Sequence, residues 1–197
     1  YARVGQFTPE GSRPGAMAAA AYVSQRVLPL DHAHFGVLAR RTLLAAEFFT
    51  DQVTDFAERV RDVAEVLVPC EPDSNLVCLA LNPQGNRCID AASRFVQQLH
   101  DRLRPDPLGN GRCPAFLASS TSLREQAVGR RDMRRILRQL GLDGGEAGSF
   151  GSLSILRHSL MNPFLLRAEA AGEANNPITQ YFVHLEVLVR ELAAGLR

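Results

Sequence analysis

Phe49, Val53, Phe56, Val60, Val63 and Leu67 recur at alternating intervals of four and three residues. That spacing lines up large apolar side chains on one side of an α-helix. From His32 to about Leu67 the chain therefore reads as one long helix. Asp51, Asp55, Glu58, Arg59, Arg61 and Asp62 fall largely off the stripe and form a solvated face. Asp31 is a good N-cap for it, and Pro69 and Pro72 close it. At ~1.5 Å per residue such a helix spans on the order of 50 Å. A helix of that length connects two bodies or packs across a partner rather than lying inside one small domain.

Around this helix the other elements follow in order. Gly5, Pro9, Gly11, Ser12, Pro14 and Gly15 make the start of the chain a loop. Gly11 and Ser12 offer close backbone approach and a hydroxyl, and such a loop feeding a helix can bind an anion, although a plain turn explains the spacing better. Ala16 to Leu28 reads as an alanine-rich helix with a small-residue face for tight packing, ended by Pro29. Asn75–Leu81 reads as the clearest strand, with Asn82-Pro83-Gln84-Gly85 as its turn. Ile89–Leu103 returns to helical spacing. Ala115–Ser122 reads as a second strand, Arg124–Leu140 as a basic helix with Met133, Ile136, Leu137 and Leu140 facing inward, and Asp143–Gly151 as a flexible connector. A third strand starts at Leu153, and Ile178–Leu196 closes the chain as a helix. Three short strands with helices on one face make an α+β layer with an antiparallel sheet.

Leu153 to Phe164 carries the sharpest chemical signal. Leu153, Ile155 and Leu156 mark a buried strand, and Asn162-Pro163 stops regular structure. Arg157 is the one charge in the run. A guanidinium in an apolar strand needs a partner or an outlet to water. It is either a structural Arg, paired with an acid or reaching solvent at an edge, or an Arg held on a rigid element to grip a carboxylate with its two-pronged fork.

Composition narrows the function classes. The formal net charge is +1 over 197 residues, so the global field favours neither a nucleic-acid nor a membrane partner. No apolar run approaches the ~20 residues of a membrane span. All 22 Lys and Arg residues are Arg. No Schiff-base lysine and no phosphate-loop lysine can come from this chain. Cys70, Cys78, Cys88 and Cys113 form no CxxC pair and read as reduced thiols of a cytoplasmic protein. His32 and His34 have no third ligand at useful spacing, so no metal site is expected.

Two stretches together resemble a known family. Glu10-Gly11-Ser12-Arg13-Pro14-Gly15 followed by an alanine-rich helix is similar to group II pyridoxal-phosphate-dependent decarboxylases, especially the branch of sphingosine-phosphate lyase and archaeal-type tyrosine and aspartate decarboxylases. Leu156-Arg157 followed by Met161-Asn162-Pro163 resembles the C-terminal strand of glutamate decarboxylase and its relatives. Asn75–Leu81 stands where that family has the first strand of its small domain. The order of all three agrees and covers almost the whole chain.

The resemblance implies the C-terminal portion of a fold type I enzyme. Residues 1–30 would be the tail of the large cofactor-binding domain, 31–72 a long connecting helix, and 73–197 the C-terminal small α+β domain. It implies a homodimer with sites at the subunit interface, an amino-acid or amine substrate, and pyridoxal 5'-phosphate as cofactor in the full-length enzyme. Arg157 matches the substrate-carboxylate Arg, and Gly11 and Ser12 match a loop near the cofactor phosphate. The family's Schiff-base lysine lies upstream of that loop, so this chain contributes no catalytic residue of its own and is expected to be inactive alone. Tyr22 stands where relatives often have Trp, and Arg124–Gly148 is longer than the usual connection. Two further readings remain from the residues themselves. One is a stand-alone helix-rich module that dimerises through the long helix. The other is an Arg-rich nucleic-acid binder built on Arg124–Arg138, against which the neutral net charge and the lack of interleaved aromatics argue.

Overall fold

A computed structural model of the chain describes residues 14–105, 114–143, 150–166 and 176–195. By internal packing the chain divides into two units, Tyr1–Arg40 and Arg41–Arg197. In the first unit, α1 (Gly15–Val27) forms where a helix is expected, but none of its residues is buried, so the tight packing expected of its small-residue face is not seen among the described residues. Asp31 then accepts hydrogen bonds from the backbone N–H groups of Ala33 and His34 at 2.9 and 3.0 Å. It also meets His34 Nδ1 at 2.8 Å. The aspartate thus organises the turn before α2 (Phe35–Val60).

The second unit is built on a four-stranded antiparallel sheet in the order β1-β2-β4-β3. The strands are β1 (Ala64–Leu67), β2 (Leu76–Pro83), β3 (Ser119–Leu123) and β4 (Leu153–Ser159). The helices are α3 (Ile89–Arg102), α4 (Glu125–Val128), α5 (Arg130–Gln139) and α6 (Pro177–Ala194), together with α2 from Arg41 onward. This is an α+β arrangement, as expected, with one more strand than the pattern suggested.

The extra strand corrects the reading of the long helix. The helix stops at Val60, and Ala64–Leu67 pairs with the outer side of β2 from Ala64↔Pro83 to Leu67↔Ala80. Val63 and Leu67 are four residues apart, which fits one helical turn or two strand steps equally well. The free edge of β2 decides between them, because β1 satisfies its backbone groups. The β2 strand also runs through Pro83, two residues past the expected end at Leu81 and into the expected turn. Proline is tolerated at this end, and Asn86 N–H closes the turn on Pro83 C=O at 3.0 Å with Gly85 at φ 80°.

A second correction concerns the layers. Side chains alternate along a strand, and both faces of the central pair are covered. Val77, Leu79, Leu81 and Leu156 pack with Phe49, Phe56, Phe95, Leu99, Phe182 and Leu185 from α2, α3 and α6. Ala80, Leu153 and Ile155 pack with Met133, Ile136, Leu137 and Leu140 at α5. Helices therefore lie on both faces, not one. The basic helix is also split: Gly129, at φ 82°, separates α4 from α5. Asn82, 1% exposed, donates from Nδ2 to the carbonyls of Asn86 and Leu140, which fastens the end of α5 to β2.

The larger core is aromatic. Phe49 and Phe182 rings sit 4.7 Å apart, and Phe56 and Phe182 rings 5.4 Å. At its margin Arg190 donates to both carboxylate oxygens of Asp62, to Glu186 and to the Arg59 carbonyl, while Arg59 donates to Glu186 at 2.8 Å. This ties the end of α2 to α6. Phe56→Ala empties a fully buried site and should cost about 3–5 kcal/mol in denaturant unfolding. Val183→Ala, on the exposed side of α6, should stay within about 0.5 kcal/mol.

Candidate functional site

Strand β4 lies between β2 and β3, so its side chains can reach solvent only where the helices stop covering it. Arg157 stands at such a place. It pairs in register with Cys78 on one side and Ser119 on the other, and it is exposed. Its Nε donates to Ser119 Oγ at 3.2 Å, and Ser119 Oγ in turn donates to the Arg157 carbonyl at 2.9 Å. Among the described residues no carboxylate pairs with the guanidinium. Of the sequence readings, an acid-paired structural Arg is therefore not what the described residues form, while an Arg that reaches solvent is. The side chain is held at Nε, and among the described residues no acceptor meets its two terminal nitrogens.

Beside Arg157 opens a cavity of about 410 Å³, walled by Phe49, Phe116, Leu160, Ile178 and Tyr181. Phe116 meets the Tyr181 ring edge-on at 5.6 Å. The cavity thus combines an aromatic and aliphatic wall with one cation at its rim. Such a place suits an anion attached to an apolar body.

The next residue, His158, points the other way and is 5% exposed. Its Nδ1 lies 3.2 Å from the Val77 carbonyl and its Nε2 2.6 Å from Tyr181 Oη. A carbonyl can only accept, so Nδ1 carries the proton and donates to Val77. The bare Nε2 then accepts from the Tyr181 hydroxyl. Burial holds the imidazole down at about 4, only partly offset by the Val77 hydrogen bond, and burial pushes the Tyr181 hydroxyl well up. The pair is thus neutral, and both members line the cavity. Burial also raises the Cys78 thiol, with the Arg157 charge opposing it in small part.

Sequence reading singled out Arg157 but missed His158 and Tyr181. The available signal was the inward position of His158, two residues beyond buried Leu156 on an alternating strand. Gly11 and Ser12 lie outside the described residues, as does Cys113. Cys70, Cys78 and Cys88 are free thiols. Among the described residues no group of three or more His, Cys, Asp or Glu could hold a metal ion. No helix among them is long and apolar enough to cross a membrane.

Comparison with known proteins gives two similar relatives. The chain is 27% identical over 165 residues to an L-tyrosine decarboxylase of Enterococcus faecalis, covering 83% of this chain. It is 28% identical over 166 residues to an L-tyrosine decarboxylase of Enterococcus faecium, covering 82%. It spans about a quarter of those relatives, 26% of each. No protein-family model matches.

Two outcomes follow from the buried pair. The folded imidazole has the lower affinity for protons, so the unfolded chain binds more protons between pH 6.5 and about 4. The stability contribution is complete above pH 6.5 and is lost as pH falls through that window, by about 3 kcal/mol in total. Urea unfolding at a series of pH values should show this slope, and the His158→Gln variant should lack it. Tyr181→Phe removes the donor to Nε2 and should cost about 1–3 kcal/mol at neutral pH.

Proposed function

We propose that this chain is the C-terminal part of a pyridoxal-phosphate-dependent amino-acid decarboxylase, contributing a substrate-carboxylate Arg and part of the active-site wall. The observation that carries the reading is Arg157: a cation without an acidic partner among the described residues, bonded to Ser119 on a central strand and among the residues that line an apolar cavity. The two relatives support the class, since each is named an L-tyrosine decarboxylase. The ordered motifs at residues 10–15, 75–81 and 156–163 support it independently. In this reading residues 1–30 end a large cofactor domain, 31–72 connect, and 73–197 form the small domain of a cytoplasmic homodimer.

The described residues do not themselves make a site for pyridoxal phosphate. The chain has no lysine to form an imine, and the phosphate-binding positions of the resemblance, Gly11 and Ser12, are outside the described set. The reading therefore assigns the cofactor to the N-terminal domain of the longer protein. What this chain supplies is geometry. Two parallel N–H donors on Arg157 fit the two oxygens of a carboxylate. The Ser119 bond limits how far the guanidinium can swing, so a bound carboxylate has one orientation. The apolar wall excludes water from the other end of the ligand. A cation fixed on a departing carboxylate would favour the ground state, so the role of Arg157 is to bind and orient the substrate rather than to speed bond cleavage.

The natural full-length protein tests the class. Its intact mass should lie well above 21.6 kDa, and it should show a near-visible imine band that borohydride removes. A mass near 21.6 kDa without that band would instead support a stand-alone interaction module. Within the full-length enzyme, Arg157→Ala should raise KM about ten- to a hundredfold, the loss of a charged hydrogen bond, with unchanged unfolding. Unchanged KM and kcat would remove Arg157 from the site.

A further inference from the structure

The outer face of α5 does not follow the rules of a solvated helix. Arg131, Arg134 and Arg138 follow i, i+3, i+7 spacing, and with Arg135 they fall within an arc of about 100° opposite the buried Met133, Ile136, Leu137 and Leu140. Arg130 flanks the arc. A solvated face normally mixes signs, and like charges three or four residues apart destabilise a helix. Here Arg130–Arg134, Arg131–Arg134, Arg131–Arg135, Arg134–Arg138 and Arg135–Arg138 are all such pairs. Asp132 is the acid within the helix, and it meets Arg135 at 3.5 Å. Arg130 and Arg131 also occupy the first turn, where the helix dipole disfavours cations.

The five side chains line a shallow concavity of about 490 Å³. Their positions differ in kind. Arg135 is tied to the Pro69 carbonyl and to Gln139, both at 3.1 Å. Arg130 and Arg134 lie over the Phe150 ring, with guanidinium carbons 5.7 and 6.0 Å from its centroid. That contact uses their faces and leaves in-plane N–H groups of Arg134 for another acceptor. Among the described residues Arg131 and Arg138 have no acidic partner. Local rules broken together mark a functional position.

We propose that this face is an anion site for a chain of linked phosphates, gripped by Arg131, Arg134 and Arg138 and bordered by Arg135. A dense oxyanion spanning two turns of helix, ~10 Å along the axis, meets all three forks at once. It cancels the repulsion that α5 carries without it. The site is independent of the decarboxylase reading, because it lies on the α5 face and includes neither Arg157 nor the apolar cavity.

The test is thermal unfolding and calorimetric titration of the natural protein with sodium triphosphate, at fixed ionic strength set with sodium chloride. Triphosphate should raise Tm by about 3 °C or more near saturation. The triple variant Arg131→Gln, Arg134→Gln, Arg138→Gln should bind it at least tenfold more weakly. Without any anion that variant should unfold at a higher temperature than the parent, because it has lost the repulsion. Arg61→Gln, an exposed charge change elsewhere, should leave triphosphate binding as it was. The proposal is overturned if sodium chloride alone reproduces the rise, if the triple variant binds triphosphate as tightly as the parent, or if oligoglutamate binds and triphosphate does not.

Discussion

The pairing of β2 with β4 is the constraint on which the second unit depends. Both strands bury apolar side chains on both faces, Val77, Leu79, Leu81 and Leu156 on one and Ala80, Leu153 and Ile155 on the other. A sheet of that kind is stable in water only when each face is covered. The aromatic layer of α2, α3 and α6 covers one face, and the smaller layer of α5 covers the other. Strands β1 and β3 then pair along part of each outer edge, β1 with Ala80–Pro83 of β2 and β3 with Leu153–Arg157 of β4.

The candidate site is a consequence of the same strand. Consecutive residues of β4 point to opposite faces, so Arg157 and His158 meet opposite environments one residue apart. Arg157 emerges beyond the cover of α5 and stays charged in water, with Ser119 across the ladder to fix it. His158 enters the aromatic layer and stays neutral, its two nitrogens taken by Val77 and Tyr181. The cation and the aromatic layer therefore leave the same strand on opposite sides, and the cation stays out of the core. The α5 face differs again: its charges gather because the sheet takes the apolar side of a short helix and leaves the remaining positions to arginine.

Much of this was legible in the sequence where one element carries its own signal. The apolar stripe of α6, the start of α3 at Ile89 and the buried first half of β4 follow from spacing alone. Arg157 stood out because a lone charge in an apolar strand is conspicuous. The signal failed where the deciding partner is distant. Ala64–Leu67 continues a helical stripe on paper and becomes a strand because β2 offers an edge. Gly129 looks like one tolerable glycine in a helix, and its left-handed backbone divides that helix in two. His158 and Tyr181 are 23 residues apart and form a pair only when α6 packs on β4.

By itself, then, the sequence determined which segments are amphipathic, that the class is α+β, that no lysine chemistry comes from this chain, and that Arg157 needs an explanation. These are local properties, set by side-chain periodicity and residue type. The tertiary structure decided the number of strands, the second helical layer, and that Arg157 meets no acid among the described residues. Those outcomes depend on which edges and faces remain unsatisfied once the β2–β4 pair has formed, and a linear pattern does not contain that information.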